Sequence, residues 1–149
     1  MRLSWLASLL LVLATCSAGA ADARLLKVLP HFLDAEGRHT LSPSLYERDA
    51  YQAMLRKKPE LISTLRFDVN WKAGAVKTGL KLRLEVRGGK PDVKPVVLEE
   101  TIKPGRLFST WTGLAMSKEA YAQMGAMVAW RATLWDGDQL VAEQKSFLW

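Results

Sequence analysis

Few side chains in this sequence can do chemistry, and their spacing narrows what they can do. His31 and His39 lie in one segment with Asp34 and Glu36 between them. A zinc site needs about four ligands in tetrahedral geometry. This spacing supplies no such set, so the histidines are expected to be ordinary surface residues and no metal site is predicted. Asp136-Gly137-Asp138 has the opening of a calcium loop without its further acidic ligands, and reads as a hairpin turn. Glu99 and Glu100 are neighbours on a predicted strand. Their side chains therefore point to opposite faces and cannot serve as paired acid and base on one substrate. The sequence has no Gly-x-Ser-x-Gly elbow, phosphate-binding loop or dinucleotide fingerprint. No catalytic residue and no cofactor are predicted.

Tryptophan is the conspicuous residue type, with Trp71, Trp111, Trp130, Trp135 and Trp149 all beyond the N-terminal leader. Trp71 shares strand parity with Leu65, Phe67 and Val69, and Trp130 with Val128 and Leu134. Both belong to the core on that pattern. Trp135 shares parity with Ala129, Arg131 and Thr133, a more polar face. Packing beside the final turn is the simpler expectation for it, whereas an exposed indole would stack on a sugar ring or an aromatic partner. The chain is basic, with 21 Lys and Arg against 15 Asp and Glu. Lys81, Arg83 and Arg87 on one predicted strand, with Arg131 and Lys145 on two others, would form a basic face if one sheet holds all three strands, interrupted by Glu85 and Glu143. The ligand-binding candidates are thus Trp135, Arg131, Lys145, Lys81 and Arg83. Nucleic acid is not expected, because neither a recognition helix nor a run of exposed aromatics accompanies the charge.

The elements that must position these residues follow from punctuation and period. Residues 24–33 form an apolar run interrupted by Pro30, which fits an edge strand. Ser42-Pro43 and Ser44 with Glu47 three residues on both mark a helix start, and a helix is predicted over about residues 43–57. Tyr46, Ala50, Ala53 and Met54 share its apolar face, with Arg48, Asp49, Gln52 and Arg56 opposite. Leu65 to Trp71 and Leu80 to Val86 then alternate with polar residues as half-buried strands. Residues 96–102 and 107–116 are weaker strands around Pro104-Gly105. Ser117 caps a helical turn, and residues 127–136 and 140–149 flank a hairpin turn at Asp136-Gly137-Asp138-Gln139. A terminal aromatic also ends outer-membrane barrels, but Lys81, Arg83, Glu85 and Arg87 on a lipid face exclude one. The apolar end of the last strand is expected to close the core.

The N-terminus reads as a leader. Arg2 precedes an apolar run over residues 3–15 that is shorter than the roughly twenty residues a spanning helix needs. Ala18-Gly19-Ala20 places a cut after Ala20, leaving residues 21–149 as one domain with no transmembrane segment. Leu13-Ala14-Thr15-Cys16 offers a competing processing site, in which Cys16 would be lipidated and tether the protein to a membrane. A chain cut after Ala20 retains no cysteine, which suits an exported periplasmic or extracellular protein of bacteria better than a disulfide-bonded secretory product.

Short strands at this spacing, Tyr121 shortly before the penultimate strand, and the closing hairpin of residues 125–149 resemble immunoglobulin-like or fibronectin-type domains. The stretches over residues 42–55 and 129–149 also resemble small exported bacterial proteins. The resemblance implies a mainly β, antiparallel immunoglobulin-like β-sandwich with one short helix near its N-terminal end, and it transfers no activity. The expected function is an exported, non-catalytic module that binds a protein or envelope-polymer partner or serves a structural role. The competing expectation is a small module binding carbohydrate or an anionic polymer through Trp135 and the basic face.

Overall fold

Seven strands and two helices organise the residues that the computed structural model describes, 23–74, 79–103 and 108–149. The leader, Cys16 and the Pro104-Gly105 connection lie outside them. In chain order the elements are β1 (Arg24–Leu33), α1 (Leu45–Lys57), a 3-10 turn (Pro59–Leu61), β2 (Thr64–Lys72), β3 (Leu80–Gly88), β4 (Val96–Ile102), β5 (Thr110–Ser117), α2 (Lys118–Met124), β6 (Met127–Asp136) and β7 (Gln139–Lys145). The strands form two antiparallel sheets, β1-β2-β5 and β4-β3-β6-β7. The protein is mainly β and compatible with a β-sandwich. The single predicted helix becomes two. The Ser117 hydroxyl accepts the Ala120 N–H at 3.3 Å, and the chain stays helical until Gly125 ends it at φ +77°. Tyr121 lies inside this second helix and meets Phe32 of β1 edge-on, with ring centroids 5.7 Å apart.

Alternation along the strands builds one core shared by the two sheets. β2 turns Leu65, Phe67, Val69 and Trp71 inward, and β3 turns Leu80, Leu82, Leu84 and Val86, all at most 1 % exposed. Leu114 and Met116 of β5 and Ala132 and Leu134 of β6 complete the cluster, with Trp130 packed against it. Each large apolar side chain removed from water contributes about 1.5–3 kcal/mol. Trp71 also buries a polar N–H, which donates to Thr112 Oγ1 at 2.9 Å. That bond spares the cost of an unmatched donor.

β1 lies at the edge of its sheet, which is where Pro30 is tolerated, and α1 docks along it. Of the helix face expected from periodicity only Met54 packs against the core. Tyr46 is 83 % exposed, Ala50 and Ala53 are exposed, and the buried helix residues are Gln52 and Leu55. The reason lies in the Gln52 amide. Its Oε1 accepts the Phe32 N–H at 2.8 Å, while its Nε2 donates to the Phe32 carbonyl at 2.9 Å and the His39 carbonyl at 2.8 Å. The side chain pairs with the exposed edge as another strand would, so a polar residue occupies the buried stripe without an unmatched group. Gln52→Ala is expected to cost about 2 kcal/mol, read as a lower urea midpoint with unchanged slope. A midpoint equal to that of the parent would mean that water replaces the amide.

The expected capping box at Ser44 does not form: Ser44 is the N-cap residue, but its side chain makes no capping bond. Ser42 Oγ instead accepts the Ser44 N–H at 3.2 Å. Ahead of it, the loop after β1 is organised by Asp34, only 4 % exposed. Its Oδ1 accepts the backbone N–H of Glu36 at 3.0 Å and of Arg38 at 2.8 Å. Its Oδ2 accepts from Arg38 Nε at 2.8 Å and the Tyr51 hydroxyl at 2.5 Å. Burial alone would raise this carboxyl, but the bonds from Tyr51 and Arg38 hold it well below the usual carboxylate range.

The C-terminus departs from expectation as well. β7 ends at Lys145, and Phe147 and Leu148 are exposed rather than closing the core. Ser146 closes the pairing with Trp130: its N–H donates to the Trp130 carbonyl at 2.9 Å and its hydroxyl accepts the Trp130 N–H at 3.0 Å. The Trp149 N–H then donates to the Ser146 carbonyl at 3.2 Å, turning the chain back. The Trp149 ring lies under the Arg87 guanidinium, 3.9 Å from its carbon to the ring centroid, a favourable cation–π geometry.

Candidate functional site

With Leu80, Leu82, Leu84 and Val86 inward, β3 must present Lys81, Arg83, Glu85 and Arg87 on the outer face of the four-stranded sheet. Register sets Lys81 opposite Trp135, Arg83 opposite Thr133 and Glu85 opposite Arg131. On the far side of β6, Arg131 faces Lys145 and Thr133 faces Glu143. On the far side of β3, Arg83 faces Glu99. The five candidate residues therefore share one sheet face. They do not all share one site. Lys81, Arg83 and Trp135 line a pocket of about 180 Å³ with Glu99, Gly137 and Asp138, while Arg131 and Lys145 stand further along the face and do not line it.

The pocket is built by the hairpin turn and by hydrogen bonds beneath the indole. Gly137 at φ +59° supplies the positive dihedral that a two-residue hairpin connection requires, which brings Asp138 beside the end of β6. Trp135 Nε1 donates to Thr133 Oγ1 at 2.9 Å, and that hydroxyl donates to the Arg83 carbonyl at 3.3 Å. The ring is half-buried and held in one orientation, and its remaining surface faces the pocket.

The charges around it are paired rather than uniformly basic. Arg83 Nη2 lies 2.9 Å from Glu85 Oε1 and Arg83 Nη1 lies 3.3 Å from Glu99 Oε1. Lys81 Nζ is 3.7 Å from Glu99 Oε2, and Arg131 Nε is 3.1 Å from Glu143 Oε1. Exposed pairs of this kind add at most about 1 kcal/mol each to stability. Their larger effect is on the field of the face, where Glu85, Glu99 and Glu143 offset the cations.

No protein-family model matches the chain, and no curated protein matches it. Among solved structures, a selenomethionine-labelled β-glucosidase from Kluyveromyces marxianus is similar over 56 % of this chain and 12 % of that chain, at 8 % identity and a TM-score of 0.30. A likeness this slight carries no argument about fold or activity.

Of the two histidines expected at the surface, His39 is half-buried and His31 is not a surface residue. His31 is 8 % exposed, on the outward side of β1 opposite Arg66, with its ring 4.9 Å from that of His39. His31 Nε2 lies 3.7 Å from Asp68 Oδ2, and Asp68 is also held by Arg66 Nη2 at 3.0 Å. Burial pushes His31 below its ordinary value, opposed by Asp68 and reinforced by His39, Arg66 and Arg48. Among the described residues no three His, Cys, Asp or Glu side chains are grouped as a metal ion needs. This cluster escapes sequence reasoning because it joins β1, the following loop, α1 and β2. Only parity along β1 hints at it, placing His31 with Leu29 and Leu33 on one side.

Proposed function

We propose that the chain is an exported, non-catalytic module of immunoglobulin-like, fibronectin-type β-sandwich architecture that binds a carbohydrate-bearing envelope polymer on its four-stranded sheet. The pairing of a β1-β2-β5 sheet with a β4-β3-β6-β7 sheet supports the architecture, and the leader sequence supports export. The observation that carries the binding assignment is the Trp135 pocket, where an oriented indole stands among Lys81, Arg83, Glu99 and Asp138. The π-face suits the axial C–H groups of a sugar, and the surrounding charged groups suit its hydroxyls as donors and acceptors. A strongly anionic polymer fits less well, because the interleaved glutamates repel it.

Trp135→Ala is expected to weaken binding of envelope oligosaccharides about tenfold, in line with the loss of one aromatic contact. The measurement is intrinsic fluorescence over millimolar oligosaccharide, with retention on envelope fractions in parallel. Because the charges are already paired, retention should depend weakly on salt, whereas a polyanion ligand would give a steep dependence. Unchanged retention of the Trp135→Ala, Arg131→Ala, Lys145→Ala triple variant would refute the site.

A further inference from the structure

A second groove lies on the outer face of the other sheet. A cavity of about 380 Å³ is lined by Leu29, His31, His39, Arg48, Asp68 and Trp111, and an adjoining one of about 370 Å³ shares Leu29, His31 and Arg48 with it. Register builds this groove across three strands. Leu29 pairs with Asp68, Asp68 pairs with Gly113, and Asn70 pairs with Trp111. The floor therefore runs from Leu29 to Asp68, with the imidazoles and Arg48 at one wall and Trp111, 53 % exposed, at the other.

Gly113 lies beside that floor, paired with Asp68. Glycine inside a strand costs stability and often marks a place where a ligand or another chain approaches. Here no backbone requirement explains it. Its φ is not positive, and an added Cβ would meet only side-chain atoms, the nearest being Asp68 Oδ1 at 3.4 Å. The space beside it holds the Asp68 and Arg66 side chains, so a larger residue there would push the Asp68 carboxylate, which lines the groove.

We propose that this groove is a second ligand site, taking a small planar organic anion whose carboxylate or sulfonate groups lie between Arg48 and the paired imidazoles and whose ring packs on Trp111. Arg48 is the accessible cation, since its partner Asp49 is itself largely exposed and such a pair exchanges readily. The charged groups facing His31 are Asp68 and Arg66 from β2, His39 from the loop and Arg48 from α1, with Asp49 and Arg56 lining the adjoining cavity. With neutral imidazoles these carry a small positive excess. Protonation of His31, which burial pushes below its ordinary value, enlarges it, so an anion binds more tightly at acidic pH.

The test uses benzene-1,3-disulfonate, a planar dianion whose own charge does not change with pH, followed by tryptophan fluorescence and the histidine ring resonances. The dissociation constant is expected to fall about tenfold between about pH 7.5 and about pH 5.5. Arg48→Gln should weaken binding at both values, His31→Gln should reduce the pH dependence, and Gly113→Val should abolish binding while the melting temperature shows that the fold is kept. Absence of any response from Trp111 and the histidines at either pH, or equal binding by the parent and the Gly113→Val and Arg48→Gln variants, would overturn the proposal. Because Trp135 lies on the opposite sheet, Trp135→Ala should leave this titration unchanged, which separates its outcome from that of the polymer site.

Discussion

Replacing Gly88 with alanine is expected to destabilise the protein by about 3 kcal/mol or more, lowering the melting temperature by roughly 10 °C. The end of β3 passes so close to the end of α2 that a Cβ on residue 88 would lie 2.0 Å from the Met124 carbonyl oxygen and 2.6 Å from its carbon. Both are backbone atoms and cannot swing aside. The approach is fixed from both directions. The Gly89 N–H donates to the Ala126 carbonyl at 2.8 Å and the Lys90 N–H to the Met124 carbonyl at 3.2 Å, while the Met124 side chain is fully buried. Relief requires moving α2 or breaking the last pairs of β3 with β6. Gly113→Ala is the control, since its Cβ would meet only side chains. Equal melting temperatures for the Gly88→Ala variant and the parent would contradict this packing.

Asp34→Ala is expected to cost about 3 kcal/mol, within the range for breaking a buried charged hydrogen-bond cluster. The substitution leaves the Tyr51 hydroxyl and two backbone N–H groups without this acceptor, while the half-exposed Arg38 keeps its pair with Glu36. The same cluster gives a pH signature. The folded-state carboxyl is held below its ordinary value of 3.8, so the folded protein binds this proton less readily than the unfolded chain does. Its contribution is fully present above that value and is lost as the pH falls below it. Acid unfolding of the parent, followed by circular dichroism, should therefore steepen below about pH 4, and Asp34→Asn should remove that part of the profile. A parent and an Asn variant with superimposable acid limbs would show that the carboxylate carries no such stabilisation.

What could be read without coordinates was the part governed by local period. Residues 96–102 and 127–136 match their predicted strands, and Leu65 to Trp71 and Leu80 to Val86 point inward as alternation requires. Periodicity failed where a polar group was buried for a local reason. Gln52 looked like a solvent residue because its value lies in the edge groups of Phe32, and nothing within the helix reveals that edge. The apolar Phe147 and Leu148 extend the expected last strand past Ser146, where the chain turns. For the Trp135 pocket, parity placed Trp135 and Arg131 on one face. The pairing of Lys81 with Trp135 and of Arg83 with Glu99 is a matter of register between strands, which no single strand encodes. The His31 groove depends on β1, β2, β5 and α1 together and was illegible for the same reason.

The order of strands in the three-stranded sheet also governs how the chain reaches its native state. β6 meets β7 across a two-residue turn, with Asp136 beside Gln139, so that hairpin closes at small entropic cost. β2 must instead pair with β5, bringing Thr64 to Ser117, after the intervening chain has laid down β3 and β4 in the other sheet. Closing so long a loop costs entropy before its contacts repay any, and chains dominated by such distant pairings fold on the slower, millisecond-to-second scale. The four-stranded sheet meets the same cost where β3 pairs with β6, Gly88 with Met127, so only its β3-β4 and β6-β7 hairpins close locally and both sheets wait on a distant pairing.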